Sequence, residues 1–469
     1  MQIIGAIMSD ASFESIPVEL FDLIAGSLAI NNVCALRLVS RSISTRASKN
    51  GAFPSCFEDI HLEPNRRKLE GLATITSNPQ LAQLVQSLTI VGRSYINDRD
   101  DLTAEEKRAY EASHDVLQLT KLFSNLAYCP GYELRSISIA VVAYTYDTRG
   151  PLGPSVFWLV NDQPSHTALF QACGETLSCI MQALNTTSLS VRSMNLFTSE
   201  STKLTVKLST GLPSRLLDPA QWKQIGSQAL VSLRSLHLRI MDEPVAEFQP
   251  AEPDETRWKK IKDSMSLAGL VKFLKVCPNL EELRLFPYTI REYKGVNAHL
   301  NLDDIKFKNT TRVDTLDPLL SLKLPSLRVL DLAGFVLNSD RFRDFLERHA
   351  ATLRRLRLFH VVFRGWPNVS WLFPLLTSDA FALESILLTD LNDGRPIVFL
   401  RGEGQNLTKI ISDGWLEGSA ISQWGSSAKE AIAFTHRLEK SMHIDRTQSC
   451  PSRIRAKFGC LPWYYWKEP

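Results

Sequence analysis

The sequence predicts an α/β chain in three parts: a three-helix module at the N-terminus, an irregular solenoid of leucine-patterned units with insertions, and a C-terminal cap. Three observations predict it. Apolar residues at helical spacing crowd the first fifty positions. A short strand signature of the form apolar-x-x-apolar-x-apolar recurs in nine copies between residues 56 and 391. Helical periodicity fills several of the gaps between copies.

In the N-terminal part, Pro17 suits the first turn of a helix, where its missing N–H costs nothing. Leu20, Ile24 and Leu28 follow at i, i+4 and i+8 and define one helical face. Val18, Phe21 and Ala25 widen that face. Asn31-Asn32 interrupts the pattern and can cap a second helix carrying Val33, Leu36 and Val39. Ser40 can cap a third, with Ile43 and Ala47, which Asn50-Gly51 ends. So few residues cannot bury all these side chains among themselves. The surplus predicts a docking surface.

The ordered run Ile16-Pro17-Val18-Glu19-Leu20, Ile24, Leu28, Val33, Leu36-Arg37-Leu38-Val39-Ser40-Arg41 resembles an F-box, over residues 13–53. It departs from that pattern at Ile43, where an aromatic is usual, and at Asn31-Asn32, where an Asp is often found. The resemblance implies that residues 1–55 are an F-box-like helical module. It implies binding to the S-phase-kinase-associated adaptor, and through it to the cullin scaffold of a ubiquitin ligase. Ile16, Pro17, Leu20, Ile24, Leu28, Val33, Leu36 and Val39 would supply the adaptor contacts.

Composition excludes little else. The 469 residues are 44% apolar and 22% charged, with a net charge of +3. That balance fits a folded soluble chain and gives no argument for a nucleic-acid or membrane partner. No apolar run approaches the length of a membrane span. The apolar start lacks a basic leader region, so no signal peptide is expected. The eight cysteines form no C-x-x-C pair. Reduced thiols in a cytoplasmic or nuclear protein are the simplest reading.

Residues 56–391 carry the strand signature. Its clear copies are Leu233/Leu236/Leu238, Leu280/Leu283/Leu285, Leu327/Leu330/Leu332, Leu353/Leu356/Leu358 and Leu383/Ile386/Leu388. Weaker copies are Phe57/Ile60/Leu62, Val85/Leu88/Ile90, Leu134/Ile137/Ile139 and Val191/Met194/Leu196. The last two apolar residues of each copy share one strand face. Helices are predicted around Leu119/Leu122/Phe123/Leu126, Leu267/Leu270/Val271/Leu274 and Phe342/Phe345/Leu346/His349. Two of them run into Cys-Pro, at Cys129-Pro130 and Cys277-Pro278, where proline stops a helix. The run Cys277-Pro278-Asn279-Leu280-Glu281-Glu282-Leu283-Arg284-Leu285 resembles a leucine-rich repeat of the kind found behind F-boxes. Leu236, Leu283 and Leu330 are 47 residues apart, whereas such units run about 20–29. The surplus predicts insertions at 97–115, 145–165, 243–263 and 291–315, read as surface loops.

Residues 392–469 read as a capping region with an aromatic tail. Ser427-Ala428-Lys429-Glu430 is a capping box. Ala431, Phe434, Leu438 and Met442 continue as an amphipathic helix. The tail Phe458–Trp466 is rich in aromatics, which favour burial as a cap over the array's apolar end.

No catalytic motif emerges: there is no nucleophile elbow, zinc-helix signature or phosphate loop. Catalytic residues, metal and cofactor are accordingly expected to be none. His349 falls on an apolar helical face and reads as a core residue. Function must come from surfaces. Strand alternation puts Arg239, Arg284, Phe286, Arg355, Arg357 and Phe359 on the face opposite the leucines, and on a leucine-rich array that face is concave. Asp331 falls between two of the arginines in repeat order. Such a stripe suits an acidic or phosphorylated segment with an apolar anchor. The expectation is a substrate-recruiting adaptor of a cullin-RING ubiquitin ligase with an unidentified protein target. The alternatives are a non-ligase scaffold with a degenerate F-box and a hydrolase whose site the sequence does not reveal.

Overall fold

A computed structural model describes residues 15–28, 32, 39–49, 57–62, 66–95, 112–144, 163–198, 211–222, 228–241, 267–288, 316–359, 361–364, 371–389, 391 and 420–424. The chain is α/β with a mostly parallel sheet. It divides into two compact units, residues 1–210 with 219–236 and residues 211–218 with 237–469. That division falls inside the stretch expected to be one continuous array.

The first unit opens with α1 (Val18–Ser27) and α2 (Arg41–Lys49). Ser40 caps α2 as expected, its Oγ accepting the Ile43 N–H at 3.2 Å. Of the intervening second helix only Asn32 and Val39 are described, so Val33 and Leu36 lie outside the described residues. Strands β1 (Asp59–Leu62), β2 (Ser87–Tyr95), β3 (Glu133–Tyr144) and β4 (Ser190–Leu196) then run parallel in sequence order. Helices α3 (Arg66–Thr76), α4 (Pro79–Ala82), α5 (Ala112–Ala127), α6 (Gln163–Asn185) and α7 (Gln228–Ser232) connect them or pack beside them.

In the second unit, β5 (Leu212–Pro213) pairs with β6 (Ser235–Met241). Then come α8 (Ala268–Lys275), β7 (Glu282–Tyr288), α9 (Asp317–Leu320) and β8 (Val329–Ala333). They are followed by β9 (Val336–Asn338), α10 (Ser339–His349), β10 (Arg355–Phe359), β11 (Val362–Arg364), α11 (Leu372–Thr377), β12 (Ser385–Thr389) and β13 (Ala420–Trp424). β7, β8, β10 and β12 are successive parallel neighbours, and β9 pairs with β11 in a separate two-stranded sheet. β13 lies antiparallel against β12. It falls within the expected capping region. The capping box at 427–430, the helix after it and the aromatic tail are outside the described residues.

The strand signature explains the register. In the second unit Leu283, Leu330, Leu356 and Ile386 align across four strands, and Leu285, Leu332, Leu358 and Leu388 form the next row. In the first unit Ile60, Leu88, Ile137 and Met194 align, followed by Leu62, Ile90, Ile139 and Leu196. All of these but Ile60 are buried. Each buried aliphatic side chain contributes about 1.5–3 kcal/mol, and a one-residue slip would turn every row toward the opposite face.

A backbone device locks the same register. In four signatures the residue after the first apolar position offers its carbonyl to two N–H groups of the next unit. The Glu281 carbonyl accepts the Arg328 and Val329 N–H groups at 2.7 and 2.9 Å. The Arg328 carbonyl accepts those of Arg354 and Arg355, and the Arg354 carbonyl those of Glu384 and Ser385. Gln86 does the same for Arg135 and Ser136. One carbonyl using both lone pairs satisfies two donors where each chain enters its strand.

The Cys-Pro helix ends have a physical cause. Cys129 and Cys277 are buried, and each thiol points at the carbonyl four residues back, Asn125 and Phe273. Cys129 Sγ also reaches the Pro79 carbonyl at 3.8 Å, and the Phe273 carbonyl also accepts the Val276 N–H at 3.1 Å. Burial pushes the Cys277 thiol far above its ordinary pKa, so it stays protonated as a donor. α5 buries the expected Leu119, Leu122, Phe123 and Leu126. It begins at Ala112 and α6 at Gln163, so helices claim the ends of two stretches expected to be loops. In α8 the buried face is Leu270, Phe273 and Leu274, whereas Val271 sits at its margin. The bulkier Phe273 takes the core position.

His349 is a core residue, as its helical position predicts, with 2% exposure. Its Nε2 accepts the Leu324 N–H at 2.9 Å, so that nitrogen is unprotonated. Nδ1 therefore carries the hydrogen and donates to the Phe345 carbonyl at 2.7 Å. Burial lowers its pKa from the ordinary 6.5. The Phe345 bond opposes the shift, and the nearby Arg348 and Lys323 charges add to it. Because the unfolded chain binds this proton more readily, the stabilisation is complete above pH 6.5 and is lost as pH falls below it.

Two outcomes follow for stability. Leu356→Ala should cost about 2–5 kcal/mol in urea unfolding of the full chain, while Arg355→Ala on the exposed surface beside it should be nearly neutral. Unfolding midpoints of the wild type should decline as pH falls below 6.5, and His349→Gln, which keeps an acceptor but cannot titrate, should flatten that decline.

Candidate functional site

Two regions hold the residues expected to bind partners. The first is the N-terminal pair of helices. Phe21 and Ala25 of α1 pack on Ile43 and Ala47 of α2, with Ile16 half-buried against them. Arg46 fastens the pair, donating from Nη2 to the Ile16 carbonyl at 2.6 Å and lying 4.7 Å over the Phe21 ring. Leu20 and Ile24, two of the residues expected to contact the adaptor, point outward. Leu20 is 52% exposed, Leu23 70% and Val39 65%, and Val18 and Ile24 join them on the surface. Phe21 and Ala25, four residues apart, form the stripe that faces α2, and Leu20 and Ile24 fall on the stripe beside it. Leu28 is half-buried and Pro17 exposed at the start of α1. The role of Arg46 was missed because no local spacing links it to Ile16, thirty residues earlier.

The second surface is the strand face opposite the leucine rows, and its central position differs between units. In the first unit it carries Thr89, Ser138 and Asn195 in one aligned row. The Asn195 amide donates to Ser138 Oγ at 3.2 Å. In the second unit the same position carries charge: Arg284, Asp331 and Arg357 align, followed by Leu387.

The charges there are compensated. Glu282 Oε1 accepts the Arg284 Nε–H at 2.6 Å and lies 3.4 Å from His237 Nε2. Asp331 is 5% exposed and sits between Arg284 and Arg357. Neighbouring strands are about 4.8 Å apart, so its carboxylate lies within the field of both guanidiniums. Of the four arginines expected on this face, Arg284 is tied to Glu282 within its own strand. Arg239 and Arg357 are half-buried, and Arg355 is exposed. Phe286 and Phe359 are half-buried at the outer end of the stripe. Glu282 and His237 were not singled out as partners, although the two-residue step from Glu282 to Arg284 on one strand face was a readable signal.

Among the described residues no group of three or more His, Cys, Asp or Glu is placed to hold a metal ion, and no helix is long and apolar enough to cross a membrane.

No protein-family model and no curated protein matches the chain. Among solved structures, a crystal structure of a protein from Bacteroides fragilis matches at 13% identity and a TM-score of 0.23, covering 63% of this chain. The match spans 65% of that protein, less than two thirds of its length.

Removing Glu282 should expose the cost of the compensated cluster. Glu282→Ala should lower stability by about 1–3 kcal/mol, because it leaves Arg284 half-buried without its carboxylate, and added salt should recover part of the loss. A double-mutant cycle with Arg284→Ala measures the coupling.

Proposed function

We infer that this protein is a recruiting adaptor of a cullin-RING ubiquitin ligase: its N-terminal module binds the S-phase-kinase-associated adaptor, and its strand-borne face binds a protein target. The observation that carries the reading is the outward apolar set Val18, Leu20, Leu23, Ile24 and Val39. It sits within a sequence run that resembles an F-box, with departures at Ile43 and Asn31-Asn32. Contiguous exposed apolar surface on a small helical module is a signature of protein docking. The leucine rows and their carbonyl links are the features a leucine-rich array requires, and the charged second face offers arginine and phenylalanine, residue types that anchor interfaces.

On this reading the chain performs no bond chemistry. It holds a target close to the transferring enzyme, and the gain is the raised effective concentration of the target's lysines. Target contacts are assigned to Arg239, Arg284, Phe286, Arg355, Arg357 and Phe359, and adaptor contacts to Ile16, Pro17, Leu20, Ile24, Leu28, Val33, Leu36 and Val39.

The test is co-purification. The full chain, co-expressed with the S-phase-kinase-associated adaptor and cullin, should bring both down. Leu20→Asp with Val39→Asp should remove them and leave the unfolding midpoint unchanged, since both positions are exposed. A wild-type chain that folds but recovers neither partner would replace this reading with that of a non-ligase scaffold.

A further inference from the structure

The corner that leads into each strand of the first unit carries a motif that the leucine rows do not use. It reads Leu134-Arg135-Ser136-Ile137, Val191-Arg192-Ser193-Met194 and Leu233-Arg234-Ser235-Leu236, three Arg-Ser pairs in successive signatures. Both apolar residues of each run are buried. Residues three apart on a regular strand point to opposite faces. The chain therefore turns between them, and Arg and Ser share the outside of the corner. Leu134 pairs with Val191 and Ser136 with Ser193, which sets Arg135 level with Arg192. The Arg234 N–H donates to the Arg192 carbonyl at 2.9 Å and brings the third pair alongside. Neighbouring corners are about 4.8 Å apart.

Like charges at that spacing repel. The second unit answers this at the same corner position by alternating sign: Glu281 lies 3.9 Å from Arg328, and Glu384 3.9 Å from Arg354. The first unit does not. Arg135 and Arg192 are exposed, and among the described residues neither side chain has an ion pair or a hydrogen bond. The same holds for the half-buried Ser136 and Ser193 hydroxyls beside them. Arg234 and Ser235 do engage other groups of the chain, so the site consists of the first two pairs. Its backbone is fixed. The Gln86 carbonyl accepts the Arg135 and Ser136 N–H groups at 2.8 and 3.3 Å, and Ser232 Oγ accepts the Val191 N–H at 2.9 Å. The nearest acid in sequence is Glu133, exposed two residues before Arg135.

The donors select the ligand. Two guanidinium forks and two hydroxyls offer about six N–H and O–H groups. A carboxylate accepts about four, whereas a phosphoryl group has three strong acceptor oxygens and a charge of about −1.5 to −2 at neutral pH. We propose that this double corner binds a phosphomonoester dianion, held between the Arg135 and Arg192 guanidiniums with the Ser136 and Ser193 hydroxyls donating beside them. The site is separate from the adaptor and target surfaces above and does not rest on them.

The test uses the full chain and fluorescein-labelled octapeptides in a Gly/Ala background, read by fluorescence polarisation. The peptides carry phosphoserine, serine or Glu-Glu at their centre, the last spreading a similar charge over two carboxylates. The phosphoserine peptide should bind about tenfold or more tighter than either of the others. Arg135→Gln with Arg192→Gln, both exposed, should abolish that preference and leave the unfolding midpoint unchanged. Arg328→Gln, at the same corner position in the second unit, should leave the preference intact, and Glu133→Gln should strengthen binding. Competition by free O-phosphoserine identifies a small phosphomonoester as sufficient, and competition by the unlabelled phosphopeptide alone identifies a protein-borne one; both outcomes support the phosphoryl site. Equal binding of the phosphoserine and serine peptides, or a preference unmoved by the double substitution, overturns the proposal. Equal binding of the phosphoserine and Glu-Glu peptides overturns its choice of a phosphoryl group.

Discussion

Everything in this molecule's strands depends on one constraint: each signature must stack its fourth and sixth residues directly on those of the neighbouring unit. Leu330 beneath Leu356, and Leu332 beneath Leu358, satisfy it with identical side chains. Side-chain burial alone would permit small shifts. The shared carbonyls remove that freedom, because Arg328 must receive both Arg354 and Arg355 before its strand pairing begins. The side chains at those same entry positions add Arg328–Glu281 and Arg354–Glu384 contacts at 3.9 Å, but their exposure makes them minor contributors. Hydrophobic rows supply the energy and the carbonyl links supply the register.

That division of labour frees the opposite strand face from structural duty. Nothing in the stacking rule restricts what stands at the fifth signature position. Thr89, Ser138 and Asn195 occupy it in one unit, and Arg284, Asp331 and Arg357 in the other. Charges set at single-strand spacing cannot ignore one another, however. Three adjacent cations would raise the energy of the face by mutual repulsion, and Asp331 between two arginines relieves it.

The strand content was legible in the sequence because period-two alternation and the leucine spacing both report on one buried face. All nine signatures fall at the strands they predict, and the His349 and Phe342 helix faces are buried as their spacing implies. The misses share a cause. α6 spans 23 residues, and Cys173, Leu177, Ile180 and Leu184 are buried along it. That stripe is diluted by the polar and small residues between, so the signal was weak. β13 carries no leucine pattern, since an antiparallel edge strand has no next unit on which to stack. On α1 the periodicity located the helix but not which of two adjacent apolar stripes would pack. Leu20 and Ile24 have the spacing of a core face, and only the packing of Phe21 on α2 and the Arg46 contact across to Ile16 decide against them. The arginine stripe was legible by alternation. Its compensation by Glu282 was not, because that depends on a side-chain rotamer as well as a face.

The two candidate surfaces differ in how strongly they bind the chain to a partner. An apolar face on a two-helix core of Phe21, Ala25, Ile43 and Ala47 has little stability to spare. A partner that covers it gains the hydrophobic transfer and also stabilises the module by mass action. Such an interface tends to be long-lived and to fold with its partner. Strand β8 stands between fully registered neighbours whose leucine rows are buried. The helices thus gain stability from any cover over their apolar residues, whereas the strands are held by their own leucine rows.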